Sequence, residues 1–264
     1  MSALDSVLSS YPVARVVIYL LILSFVAVLA SKRGYLTNGG IASAFFLGFF
    51  LLYALGFSGF VIYLFFFISS SAFTAVVDKG KGGKRTFSQV VANGTAPFAG
   101  LLIFLFSPHK ELGLVMFSSS IAEATADTWA SEGGLLSKKP PRSIITGTSV
   151  PKGTSGGVSA LGTLFAFLGA LSLSMIATGV FRLGFKSFLI ILTSGFLGSF
   201  FDSFLGATLE ARYSDKDGRL TYSRYDDEGI ENHRLRGLPI VDNDMVNLLS
   251  GLFASTLSFV LMLF

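Results

Sequence analysis

The 264-residue chain is 52% hydrophobic and 14% charged, with 28 Phe and no Cys, whereas a soluble domain carries about a quarter charged residues. Together with a mean hydropathy of +0.67, this excludes a water-soluble globule. The lack of cysteine excludes disulfides, thiolate metal sites and a cysteine nucleophile. A formal net charge of +4 is too small to imply nucleic acid as a partner.

A membrane span uses about 20 residues, so eight spans with short loops fill the chain, and residues 1–264 read as a single integral membrane domain. Apolar runs occur near 12–30, 40–55, 58–77, 88–106, 111–130, 157–181, 185–209 and 243–264. The first has the length of a signal peptide, but its n-region is weak and Lys32 and Arg33 follow at once, so a retained helix is expected. The second and third are separated only by Gly56, Phe57 and Ser58, which predicts a tight hairpin. The fourth and fifth are rich in Ser, Thr and Gly, so the count is about eight helices within a range of seven to nine.

Basic residues test that count. The loops after the first, third, fifth and seventh runs hold 16 of the 20 Lys and Arg residues, while the opposite side has Lys110, Arg182 and Lys186, with Arg15 at the start of the first run. By the positive-inside tendency the rich side is cytoplasmic and both termini lie outside. The expected fold is thus an all-α, polytopic transmembrane bundle in a cell membrane.

Polar residues collect on the same side. Carboxylates inside apolar spans are costly unless they face protein or water, so each one is a functional candidate. Asp78, Asp127 and Asp202 stand toward the basic ends of the third, fifth and seventh runs. In the fifth, Ser120, Glu123, Asp127 and Ser131 share one helical face. Two carboxylates four apart repel, which a bound Mg²⁺ or a basic partner would relieve; a helix end emerging into water would relieve it equally. Glu132 fits that solvated alternative as well as a functional one. In the seventh run Gly195, Gly198, Ser199, Asp202, Gly206 and Glu210 form a narrow stripe that lets another helix approach and sets Asp202 against protein. The eighth begins with Asn243, an N-cap or a ligand-positioning amide, and carries Asn247 one turn inside.

Between the fifth and sixth runs, the segment from Arg142 through Lys152, Gly153, Thr154, Ser155, Gly156 and Gly157 runs into a helix. Glycines allow backbone N–H groups to approach an anion, and a helix N-terminus favours phosphate. The segment reads either as a phosphate cradle or as a flexible interhelical loop. It is not a P-loop, and neither is the run from Gly80 to Arg85. Gln89 and Asn93 open the fourth run with a polar face toward the same side. The basic cluster Lys79, Lys81, Lys84 and Arg85 reads as an orienting, headgroup-contacting element. Residues 211–240 mix acids and bases and read as a solvated hairpin, with His233 as a candidate phosphate contact.

Read together, Glu123–Glu132, Val150–Ser159, Asp202–Thr208, Gln89–Gly94 and the Asn243–Asn247 segment resemble, over residues 35–264, the domain-of-unknown-function 92 family, also called transmembrane-protein-19-like. That family includes phytyl-phosphate kinases, which convert an isoprenyl monophosphate to its diphosphate with a nucleoside triphosphate. The resemblance implies a Mg-dependent prenyl-phosphate kinase using a nucleoside triphosphate, CTP by analogy with phytol and dolichol kinases. On this reading Asp127 and Asp202, with Glu123, hold Mg²⁺; Lys152 is catalytic; and Arg142, Gly153, Thr154, Ser155, Gly156 and Gly157 bind phosphate. Asn93, Asn243 and Asn247 position groups, and the Phe-rich spans hold the prenyl tail. The rival is a transporter or flippase of an anionic lipid or solute, which requires polar residues continuing to the outer face. Chain length, nucleotide identity and oligomeric state carry no sequence signature.

Overall fold

The computed structural model describes residues 3–77, 84–226 and 228–264. Asp78, Lys79 and Lys81, singled out above, lie outside the described residues. The helices are α1 (Ala3–Ser9), α2 (Pro12–Lys32), α3 (Asn38–Val77), α4 (Phe87–Phe106), α5 (Lys110–Leu135), α6 (Ala160–Phe181), α7 (Phe185–Thr208) and α8 (Asn243–Met262). Among the described residues six of them, α2, α3, α4, α6, α7 and α8, are long and apolar enough to cross a membrane.

α3 is two spans in one. Gly56 takes φ +65°, a left-handed conformation that only glycine adopts without strain, and the chain folds back there. Leu36 and Phe67 consequently meet in one apolar cluster with Val90. Asp5 of α1 braces the turn: its carboxylate accepts the Phe57 N–H at 3.1 Å, capping the second leg. The hairpin expected at Gly56–Ser58 is present, and with α5 the described residues form eight membrane-length segments.

α5 is the exception in composition and the centre of the bundle. Its charged and hydroxyl residues keep it below the hydropathy of a lipid-facing span, yet residues 115–126 are buried and the helix packs against α3, α4, α6, α7 and α8. A helix enclosed by other helices need not be apolar all round. Glycines set the close approaches: a Cβ at Gly100 or Gly113 would enter the backbone of the opposite helix, and one at Gly195 would lie 2.6 Å from Ala122 Cβ.

Two boundaries differ from the sequence reading. Gly157 and Val158, placed at the start of the sixth span, form β2 and pair antiparallel with β1, Arg142–Ser143. The helix starts at Ala160, where Ser159 Oγ accepts the Gly162 N–H at 3.1 Å. The 211–240 region is a three-stranded sheet of β3 (Arg212–Ser214), β4 (Leu220–Thr221) and β5 (His233–Arg236), in order β4-β3-β5. It is anchored to the end of α7 by Ala211 N→Val241 O at 2.8 Å and Leu238 N→Leu209 O at 2.9 Å. Alternating charges concealed those strands, because their exposed residues need no apolar face.

Candidate functional site

At the basic end of the bundle, α5, α6 and α7 splay around a cavity of about 360 Å³. Asp127 and Asp202 form its floor, Lys152 to Ser159 one wall, Ala166 and Phe200 another, and Glu210, Tyr222 and Asn243 the rim. Helical spacing explains the floor: Asp127 stands one turn after Glu123 on α5, and Asp202 one turn after Gly198 on α7, so the packed glycines bring both carboxylates inward. The two side chains come within hydrogen-bonding reach of each other.

Ser250 on α8 ties this floor to the core. Its Oγ donates to Asp202 Oδ2 at 3.1 Å and lies within reach of Glu123 as well. Glu123 is only 2% exposed and is clamped by small residues: a Cβ at Gly198 would sit 2.5 Å from its Cγ, and one at Gly251 would sit 3.6 Å from its Oε2. Ser120 Oγ donates to Gly251 O at 3.0 Å, fixing the same α5–α8 contact. Glu123 thus supports the floor from behind and does not line the cavity.

Among the described residues the ion pairs are Lys216–Glu228, Asp217–Arg219 and Arg224–Glu231, all exposed, so none of the three intramembrane acids has a basic partner. Buried anions without counter-charge are costly. A divalent cation could offset that cost, and Asp127 and Asp202 are the residues that could hold it. No three His, Cys, Asp or Glu side chains among the described residues stand close enough to chelate one ion.

The glycine segment is an ordered double turn rather than a flexible loop. Gly153 and Gly156 take φ +77° and +79°. Ile144 N donates to Gly156 O at 3.0 Å and Gly157 N to Thr154 O at 2.9 Å. Gly156 lies directly on Ala207 of α7, where a Cβ would collide, so glycine is required twice over: by φ and by the approach. Lys152 Nζ donates to the Leu135 carbonyl at 3.2 Å, which satisfies an end of α5 and sets the ammonium at the cavity wall. Glu210, beyond the end of α7, is 3% exposed. Burial pushes its carboxyl above the usual range, partly offset by a Ser155 hydrogen bond and by Arg212 and Arg236.

The sequence profile of the integral membrane protein family DUF92 matches residues 21–255. The chain belongs to that family. It is 36% identical over 206 residues to an uncharacterized membrane protein of Methanocaldococcus jannaschii, covering 75% of this chain and 84% of the relative. It is 30% identical over 282 residues to Protein PGR of Arabidopsis thaliana, covering 94% and 96%. To the chloroplastic Protein VTE6 of Arabidopsis thaliana it is 25% identical over 196 residues, covering 69% of this chain and 58% of that one. No solved structure matches.

Within this DUF92 chain the candidates separate. Asp127, Asp202, Lys152, Gly153, Thr154, Ser155, Gly156, Gly157 and Asn243 all line the cavity. Arg142 does not: it is exposed, and its Nη1 donates to Gly147 O at 2.9 Å, bracing its own turn. Asn93 donates to Gln89 O at 3.0 Å and lines a different, apolar recess of α2, α3 and α4 beside Arg85. Gln89 is half of a capping box with Thr86. Asn247 is half-buried, and its carbonyl accepts from Ser250 at 3.1 Å. Asn243 is not the cap of α8, since Asp242 takes the Met245 N–H at 2.9 Å. Glu132 accepts from Thr74 at 2.7 Å, and His233 sits in a surface depression with Glu231 and Arg234.

Sequence reasoning missed Ser250 and Tyr222. Ser250 had a signal, standing three residues after Asn247 on α8. Tyr222 had none, since only the strand register of β3 and β4 carries it to the cavity.

Proposed function

We propose that the chain is a membrane-embedded prenyl-phosphate kinase that transfers a phosphoryl group from a nucleoside triphosphate, CTP in the first instance, to an isoprenyl monophosphate. The observation that carries this reading is the pairing of Asp127 with Asp202, without a basic partner among the described residues, on the floor of a cavity walled by a glycine turn and Lys152. The resemblance of the motifs to a family that includes phytyl-phosphate kinases supports the choice of reaction.

Phosphoryl transfer asks the protein mainly for alignment and charge neutralisation. An oxygen of the acceptor phosphate attacks the terminal phosphorus, the bond from that phosphorus to its bridging oxygen breaks, and the nucleoside diphosphate leaves. Lys152 and the N–H groups of Gly153 and Gly156, which the turn does not use internally, hold phosphate oxygens. Mg²⁺, when bound, neutralises charge on the nucleotide. Asp127 and Asp202 would hold it, and Ser250 orients Asp202. The acceptor phosphate is itself the nucleophile, so no strong general base is needed. Ala166 and Phe200 give the cavity an apolar wall, suited to the start of a prenyl tail. The basic face being cytoplasmic by the positive-inside tendency, the nucleotide arrives from the cytosol.

The test is incubation of purified protein with prenyl monophosphates, Mg²⁺ and each nucleoside triphosphate. Prenyl diphosphate is the expected product, and its absence from every pairing, with Asp127→Asn and Asp202→Asn leaving the cellular phenotype unchanged, would sink the reading.

Transport of an anionic lipid or solute is a second reading with one observation in its favour. Ser118, Ser119, Ser194 and Ser255 are buried beyond Glu123 toward the opposite face, with hydroxyls that lack hydrogen-bond partners among the described residues. Flux of prenyl phosphate across proteoliposomes without nucleotide would select this reading over the kinase.

A further inference from the structure

The predicted phosphate-binding arginine, Arg142, is exposed and occupied with Gly147. A different guanidinium stands against the glycine turn. Arg212, on β3, donates through Nη2 to Ser155 O at 3.3 Å and to Tyr222 Oη at 3.1 Å, while its Nε is buried with no hydrogen-bond partner among the described residues. Ser155 and Tyr222 both line the cavity. Tyr222 Oη also accepts the Ser155 N–H at 2.8 Å, so one phenol holds both the turn and the arginine.

The neighbourhood carries a cationic surplus. Arg212 is directly opposite Arg236 in the β3–β5 register, and like charges facing each other across strands destabilise a sheet. Arg236 is committed elsewhere, its Nη1 and Nη2 reaching Ala207 O at 2.7 Å and Gly206 O at 3.1 Å. Glu210 is the acid close to both, yet it forms no ion pair with either among the described residues and retains a buried Oε2 with no hydrogen-bond partner. Both guanidiniums keep a buried Nε with no hydrogen-bond partner among the described residues, but Arg236 spends both Nη atoms on α7 carbonyls whereas the bonds of Arg212 run through Nη2 alone. Asp242, the other acid near Glu210, caps α8. The sheet that carries it is bolted to the end of α7, one to two turns beyond Asp202.

We propose that Arg212, presented by the three-stranded sheet and standing directly behind the lining residues Ser155 and Tyr222, is a phosphate-binding residue at the edge of the cavity, adding a guanidinium to the Lys152 ammonium. The sheet is thus part of the site rather than a solvated hairpin. The assignment rests on the reading of the cavity as a phosphate site, but not on phosphoryl transfer itself. Guanidinium suits the task because its fork can bridge two phosphate oxygens, where Lys152 supplies a single point charge.

Inorganic pyrophosphate in Mg²⁺ buffer, titrated calorimetrically into the full chain in detergent micelles, tests it. Arg212→Gln is expected to weaken binding by about tenfold or more, and Arg142→Gln to stay within about twofold of the parent. Arg212→Lys, which keeps charge but loses the fork, is expected to fall between, about three- to tenfold weaker. Should Arg212→Gln fail to elute as a monodisperse species, Arg212→Lys decides. Parent-like affinity in the deciding variant, equal losses at Arg142 and Arg212, or no binding to the parent would overturn the assignment. Arg212-dependent binding without any transferase activity would support it while removing the kinase reading.

Discussion

Ser250 Oγ on α8 donates to Asp202 Oδ2 on α7 at 3.1 Å, and the same hydroxyl lies within reach of Glu123 on α5. One serine thus joins the three helices that form the floor of the cavity. Removing it frees Asp202 to rotate and takes a hydroxyl away from beside Glu123. Ser250→Ala should cost about 1 kcal/mol of stability and lower prenyl diphosphate formation by about tenfold, read from thermal unfolding in detergent and from initial rates. Unchanged rates would show that Asp202 is positioned without it.

Asp127 and Asp202 are predicted to separate stability from activity. Each Asn variant replaces one of two buried carboxyl groups that face each other by a neutral amide, so the melting temperature should hold or rise. If the pair holds the proposed cation, turnover should fall by about a hundredfold or more, since that site would lose a ligand. A parallel fall of both quantities would point to a structural role.

Gly198 meets the stem of Glu123, where an added Cβ would sit 2.5 Å from its Cγ. The clash is with a fully buried side chain between packed helices, so Gly198→Ala should cost about 1–3 kcal/mol. Gly179, where a Cβ meets nothing within 4 Å, is the control, and Gly179→Ala should leave unfolding unchanged or slightly raised.

Gly156 combines φ +79° with direct contact on Ala207. Gly156→Ala strains the backbone and pushes the turn off α7, and a loss of about 1–3 kcal/mol is expected. The Kd for magnesium pyrophosphate should rise as well, and an unaltered Kd would place the anion away from this turn.

Glu210 predicts a pH dependence. Burial raises its carboxyl above the unfolded value of about 4.3, so the folded chain holds that proton more tightly than the unfolded one. The contribution is fully present below the unfolded pKa and is lost as pH rises through the folded one. Glu210→Gln should flatten that part of the stability profile, seen as a smaller change in melting temperature between mildly acidic and neutral buffer. An identical slope in parent and variant would assign the dependence to another group.

Some of this was legible in the chain before folding. The eight segments, the turn at Gly56 and the gathering of acids and glycines on the basic side follow from lipid chemistry, since spans must be about 20 residues long and intramembrane charges must turn inward. Spacing on one helix was equally readable, which is why Asp127 and Asp202 both reach the cavity. Arg142 and Asn93 show where such reading stops. Each has the right chemistry near the right motif, but one is turned toward Gly147 and the other faces the recess beside Arg85.

The sequence by itself determined that the protein lives in a membrane, that it is built of about eight helical segments, and which helix faces carry carboxylates, because those properties are periodic and local. Only the tertiary structure decided which cation reaches the glycine turn, that Glu123 stands behind the floor instead of in it, and that Ser250 and Tyr222 belong to the site. Those outcomes depend on helix rotation, glycine-permitted approach and strand register between segments distant in the chain, and no local pattern encodes them.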